Sequence, residues 1–419
     1  MKRTFPFLLA ATLLAACAGT RTSDTRSAAS FTSFVAATRA AAPDAYVGRD
    51  GFAVANAAEM RRMQAHLAAL YEGVTSSRAV RDSAGTLFDC IPIERQPGLR
   101  GGKPLLTPRM PTLPSGPAGE GAGPRGRAIQ PNSVGCGART IPMRRITLEQ
   151  MARFRTLEEY LTRKKKRHSV AGTDDDDGVH YYATAEQVVD AYGAGTDMSI
   201  WQPVVPSGPN DSISQVWVSG GSGAEMQTAE AGWMVYPVKN GTDSPVLFEF
   251  WTPDGYASGC YDLECPGFVQ TNKNWTLGGA VGPISQPGGD QSVLRVTWWR
   301  DSLDGAWWLY LGHTTLQAVG YISQSYYGTG QMSKNATEVE FGGETTTLAT
   351  AGQMGSGAHA NAGYGYAAFQ TRLSYYPTTG GIVPMKPTTL KQRTPQCYTV
   401  TATSEPELTY IYYGGPQCP

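Results

Sequence analysis

Two glutamates, Glu230 and Glu344, stand where carboxylates are uncommon. Glu230 lies in "TAEAGWMVYP", Thr228 to Pro237, ahead of a run of strand-forming aromatics. Strand interiors are poor in Glu, so an acid there needs a reason. Alanine and glycine follow it, so its surroundings are small. Glu344 ends "EVEFGGE" and follows two glycines, which let backbone or substrate come close. In the same stretch Glu338 and Glu340 alternate with Val339 and Phe341 and read as a solvated strand face. Two facing carboxylates can hydrolyse a bond. They resist ionising together, so one proton is shared between them. The ionised one takes a proton from water, while the other gives its proton to the departing atom. The separation of 114 residues (344 − 230) is no obstacle where neighbouring strands come from remote segments.

Other chemistries fit poorly. There is no G-x-S-x-G elbow, and Ser356 and His359 lack an orienting acid. "GYGYAA" is glycine-rich but sits in strand-like sequence with no helix to cradle a phosphate. The five histidines (His66, His168, His180, His313, His359) are scattered, with no H-x-x-x-H or C-x-x-C, so no metal and no cofactor are expected. A formal charge of zero points away from nucleic acid. Two rival readings keep the same residues. A glycoside hydrolase also needs two carboxylates in an aromatic-lined cleft. A lectin-like binding module would keep the fold without turnover.

The elements that must position these acids are strands. Only 17% of the 419 residues are charged, and 49 are glycine and 28 proline, a balance that favours β structure with many turns. "SQVWVSG", "AGWMVYPV", "SPVLFEFWT", "SVLRVTWWRD", "AWWLYLGH", "TEVEFGGE" and "YGYAAFQTRLSYY" read as strands with period two. Together they predict an all-β, antiparallel β-sandwich over 176–419. Long aromatics on both parities imply a sheet buried on one face and lining a cleft on the other.

Ahead of it the texture differs. "MKRTFPFLLAATLLAACAGT" reads as an export signal over 1–17 with a lipobox-like end, and Cys17 is the candidate for lipid modification. Residues 18–50 are rich in Ala, Ser and Thr and read as a loose tether. "NAAEMRRMQAHLAALYEGV" and "TLEQMARFRTLEEYL" predict helices, with capping-box starts at Asn56/Glu59 and Thr147/Gln150. Residues 101–133 are Pro/Gly-rich and cannot form a core. "RKKKRHSVAGTDDDDGVH" places a boundary within 163–180. The small, partly helical N-terminal region thus spans 51–175. Setting Cys17 aside, six cysteines remain, which allow 15 pairings. Sequence neighbourhood suggests Cys90–Cys136, Cys260–Cys265 and Cys397–Cys418. Bridges and signal together predict an exported chain.

"TAEAGWMVYP", "WTPDGYASGCYDLECPGFVQTN", "FGGE" and "QMGSGAHANAGYGYAAFQ" resemble the motifs of the neprosin family of secreted glutamic prolyl endopeptidases. "FDCIPIERQP" and "GCGARTIPMRRITLEQ" are similar to that family's activation segment, and "CYTVTATSEPELTYIYYGGPQCP" to its C-terminal end. The resemblance spans about residues 55–419. It departs in the long stretch 101–133 and in the lipobox-like start. In that family the acids of E-A-G-W and F-G-G-E are the catalytic pair, which fall here on Glu230 and Glu344. The resemblance implies a zymogen whose prosegment (51–175) inhibits a β-sandwich catalytic domain (176–419). It also implies cleavage after proline in acid, with proline-containing peptides or proteins as substrates. Aromatic faces stack well on a pyrrolidine ring, so Trp233, Trp251 and Tyr256 are candidate substrate contacts. Gly355 and Ser356 are candidates for turning backbone N–H groups towards an oxyanion. The location expected is the outer membrane or cell surface, held by a lipid anchor, or the medium.

Overall fold

The structure, a computed structural model, describes residues 29–109, 123–162, 180–312, 315–347, 350–392 and 394–418. The signal segment with Cys17, and the junction up to residue 179, lie outside them.

The N-terminal region is assembled from short elements. They are α1 (Phe31–Ala40), α2 (Ala57–Leu70), β1 (Arg78–Arg81), β2 (Leu87–Pro92), β3 (Arg127–Ala128), β4 (Thr140–Arg144), α3 (Leu148–Met151) and α4 (Leu157–Leu161). α2 starts where predicted: the Asn56 side chain accepts from the Glu59 N–H, and Met60, Met63, Leu67 and Leu70 are buried on one stripe. Two expectations change. The tether contains α1, capped by Ser30, whose Phe31 and Phe34 pack edge-on against Tyr71. A composition rich in Ala and Ser hid those two aromatics. The single helix expected over 147–161 is two helices, because Thr156 caps a second start through the Glu159 N–H. β1, β2 and β4 form a small antiparallel sheet.

From His180 onward strands are the main regular elements. In order come β5 (His180–Ser199), β6 (Asp211–Gly220), β7 (Gln227–Val235), β8 (Val246–Thr252), β9 (Cys260–Tyr261), β10 (Phe268–Gln270) and β11 (Ser292–Arg300). Then follow β12 (Trp307–Gly312), β13 (Leu316–Ile322), β14 (Ala336–Thr346), β15 (Ala368–Pro377), β16 (Val383–Pro384), β17 (Thr389–Lys391), β18 (Thr399–Ser404) and β19 (Thr409–Gly414). One short helix, α5 (Pro237–Asn240), joins β7 to β8.

These strands make one continuous sheet that folds over at β5 into two layers. The first half of β5 pairs with β14 and β17, and the order β17-β5-β14-β6-β7-β8-β9 forms the first layer. Its second half pairs with β11 and β15, giving β18-β19-β15-β5-β11-β12-β13-β10. All these pairs are antiparallel. The layers meet through Val216, Ala231, Val339 and Phe341, all buried. Polar ties cross between them: Gln370 Nε2 donates to Ser214 Oγ at 3.1 Å, and Trp233 Nε1 to the Ser199 carbonyl at 2.9 Å. The three disulfides are Cys90–Cys136, Cys260–Cys265 and Cys397–Cys418, as read from sequence neighbourhood.

The N-terminal region is held to the sandwich by a buried ionic cluster. Arg144 of β4 pairs with Glu264, and Lys239 of α5 reaches the same carboxylate at 2.8 Å. Lys239 also donates to the Tyr160 carbonyl of α4 at 2.9 Å, and Arg144 to Asn240 Oδ1 at 2.7 Å. Burial opposes the ionisation of Glu264, but Lys239 and Arg144 outweigh it and hold the carboxyl below its ordinary value. Nearby Asp262 differs. Burial, with Glu264 adding, pushes it from 3.8 up to about 7. A raised folded-state value stabilises the fold fully below pH 3.8, and that contribution is lost as pH rises through about 7. The loss amounts to about 4 kcal/mol, at 1.36 kcal/mol per unit. Asp262→Asn keeps an Oδ1 for the Glu249 N–H it now serves at 3.1 Å. It is therefore expected to gain up to about 4 kcal/mol in urea unfolding at pH 8 and almost nothing at pH 4.

Candidate active site

Strand register decides which side chains share a face. Residues directly opposed in an antiparallel pair point to the same side, and along a strand the sides alternate. On β6, Ile213 is opposed by Glu344 of β14 and Met234 of β7. Two residues on, Gln215 is opposed by Gly342 and Gly232. Two further on, Trp217 is opposed by Glu340 and Glu230. Glu230 and Glu344 therefore lie on one face of the first layer, on the two strands that flank β6. This face is the one turned away from the second layer. Both acids are buried, at 0% and 2% exposure, so the face is covered in the intact chain.

Glu230 is held by hydroxyls. Its Oε1 accepts from Tyr256 Oη at 2.7 Å and from Thr228 Oγ1 at 2.8 Å. Tyr256 arrives from the loop after β8 with φ +63°, directly after Gly255, also at +63°. A bulky residue in the left-handed region is strained and persists only where its surroundings impose it. Here Thr252 Oγ1 accepts the Tyr256 N–H at 3.0 Å, Asp254 ties down Ser258 at 2.7 Å, and Phe250 stacks on the ring at 6.0 Å. The loop thus aims a phenol at the acid.

Glu344 is held by nitrogens. His180 Nδ1 lies 2.7 Å from Oε1, and Gln215 Nε2 donates to Oε2 at 3.3 Å. His180 is the first residue of β5 and is buried. The strand that follows the expected junction therefore begins at this carboxylate.

The same face carries a third acidic group, which corrects the reading of Glu338 and Glu340 as a solvated face. Glu340 is buried, accepts from Thr184 Oγ1, and meets Lys391 Nζ at 3.0 Å. Lys391 also reaches Glu186 at 2.6 Å. Burial, then Glu186 and Glu340, push the Glu338 carboxyl up to about 7. The strand pairs β14 with both β5 and β6, so its acids are enclosed from two sides. Oxygens of Glu186, Glu338 and Glu340 lie within 4.8 Å of one another, close enough for a cation, and the Lys391 ammonium supplies positive charge there.

The other sequence candidates are dispersed. Tyr256 alone joins Glu230. Trp233 is three residues from Glu230 and so points to the opposite face, between the layers. Trp251 opposes Ala229 rather than Glu230, and packs on Tyr326 and Tyr327 at 5.0 and 6.5 Å. Gly355 and Ser356 form a tight turn in which Gly357 N–H bonds to the Met354 carbonyl at 3.1 Å. Met354 bridges to Gly415 beyond β19, where a side chain on Gly355 would meet Ala368 of the second layer. Trp217, Gln215, Thr228 and His180 join the site through the structure alone. Trp217 and Gln215 sit on alternate positions of "SQVWVSG", a pattern that marks a shared face but does not say which face holds the acids.

Fold and site together define an all-β, two-layered protein with a pair of enclosed glutamates on one sheet face. Residues 209–416 match the Neprosin family, and the chain belongs to that family over this domain. Among solved structures it is similar to a scytalido-glutamic peptidase determined with a peptide-based transition-state analogue. The identity is 11% and the TM-score 0.30, covering 56% of this chain and 98% of that one. It is also similar to SCP-B, a member of the eqolisin family of peptidases, in complex with the tripeptide Ala-Ile-His. There the identity is 8% and the TM-score 0.25, with 56% and 98% covered. At these scores the overlap is loose.

Proposed function

We propose that this chain is an exported glutamic endopeptidase, made as a zymogen, that hydrolyses peptide bonds after proline in acid. The observation that carries the reading is the placement of Glu230 and Glu344 on one face of β14-β6-β7, each oriented by its own donors. On a flat sheet the two rows stand about 13 Å apart along the strands and about 10 Å across them. Two extended side chains reaching inwards then leave room for a scissile carbonyl and one water.

Glu344 is the base in this reading. An amide N–H can only donate, and the carboxylate form of Glu344 receives it best. Glu230 carries the shared proton. Water attacks the carbonyl carbon, its proton passes to Glu344, and the π pair moves to the carbonyl oxygen. Collapse then breaks the C–N bond as Glu230 protonates the leaving nitrogen. Trp217, in register with Glu230, takes the place of Trp233 and Trp251 as the aromatic beside the bond.

Residues 51–175 act as the inhibitory prosegment. Support comes from the burial of both acids in the intact chain, from the Arg144–Glu264 contact, and from His180 meeting Glu344 directly after the junction. Acid incubation is expected to yield a shorter form that cleaves a proline-containing fluorogenic peptide, with a rate that falls towards neutral pH. Gel mass and rate at each pH check this. Full-length protein with full activity, or a flat rate from pH ~4 to ~9, contradicts it, since an ordinary Glu titrates near 4.3.

A further inference from the structure

Gln215 sits wholly buried at the middle of β6, in the row between those of Glu230 and Glu344. Both of its directly opposed neighbours are glycines, Gly342 and Gly232, so no side chain stands straight across from it on either flanking strand. Its Nε2 donates to Glu344 Oε2 at 3.3 Å. Its Oε1 is buried and has no hydrogen-bond partner among the described residues. Gln370 donates to the Gln215 main-chain carbonyl at 3.1 Å and leaves the side chain alone. A sealed amide oxygen with no donor costs free energy, and native folds rarely keep one without a use.

We propose that Gln215 is a third member of the reaction centre, which holds Glu344 through Nε2 and accepts a hydrogen bond from the attacking water at Oε1. This rests on the peptidase reading and deepens it. The water offers one hydrogen to Gln215 and the other to Glu344, which leaves an oxygen lone pair for the carbonyl carbon. Gln215 gains and loses no proton, so the balance of the step is unchanged. The role needs both ends of an amide at one place: a donor for the carboxylate and an acceptor for the water.

The test uses the full chain after acid incubation, with Gln215→Met beside Glu230→Gln and Glu344→Gln on one fluorogenic proline peptide. Gln215→Met keeps length and loses both polar ends. The expected kcat falls about 100-fold, in the range seen when one fixed polar group leaves an active site. KM stays within about threefold. The acid limb of the rate profile moves to higher pH, because the ionised form of Glu344 loses a donor. Should the Met variant melt well below wild type, Gln215→Glu replaces it. That side chain can donate to Glu344 only when protonated, so its turnover must recover as pH falls and collapse as pH rises. Undiminished kcat with an unmoved limb in either variant overturns the role of Gln215, provided both glutamate variants are inactive. Active glutamate variants overturn the peptidase reading itself.

Discussion

Glu344→Gln and Glu230→Gln are each expected to lose at least about 1000-fold in kcat on a proline-containing peptide, with little change in thermal stability. General acid or base catalysis contributes roughly 100- to 10,000-fold, and removing either acid also ends the sharing of one proton. Glutamine preserves shape, and it can still accept from the Tyr256 and Thr228 hydroxyls that now serve Glu230 Oε1 at 2.7 and 2.8 Å. At position 344 an amide can face Gln215 by turning its oxygen to Nε2. The fold is therefore kept while the proton chemistry goes. Losses this large from each single change, with no further loss in the double variant, would mark the two acids as one unit. Neither variant should process itself on acid incubation. A short form appearing at the wild-type rate would assign the cut to something else.

The largest stability effect is expected at Glu264. This carboxylate lies between the Arg144 guanidinium and the Lys239 ammonium, and all three side chains are at most 5% exposed. Glu264→Gln strips the shared carboxylate from two buried cations. Breaking a buried pair from one side costs about 3–5 kcal/mol, a large share of the 5–15 kcal/mol that holds a typical domain together. Urea unfolding at neutral pH measures the loss. Because Arg144 and Tyr160 come from the N-terminal region, the same change should make that region an early target of limited proteolysis. Arg144→Met in the Glu264→Gln background should recover part of the loss, since it removes one stranded charge. A cost below about 1 kcal/mol would mean that water reaches the cluster freely.

Each acid interrupts a strand pattern among small residues, but it is the resemblance of E-A-G-W and F-G-G-E to the neprosin motifs that singles them out as a pair. Partnership was legible less far. Trp233 lies an odd number of positions from Glu230, and that parity alone sends it to the other face. Trp251 needed the register of β8 against β7, which no single strand contains. Strand β5 is hidden for a different reason. "HYYATAEQVVDAYGAGTDMS" is rich in Ala and Gly, which are poor strand formers. Its conformation is imposed by pairing with β14, β11, β15 and β17, and its small residues let two layers turn about one strand. The enclosure of Glu340 is hidden in the same way. Alternation correctly put it opposite Val339 and Phe341, but only tertiary pairing shows that this face is enclosed and that Lys391 waits there.

The most direct measurement is a mass-spectrometric map of new chain ends after an unfolded protein mixture is digested at acid and neutral pH. Acid-processed wild type should release fragments that end in proline at low pH and few at neutral pH, and the Glu230→Gln/Glu344→Gln double variant should release none. The same proline-ended fragments from the double variant would show that the bond is broken without these two carboxylates, and the account would fail.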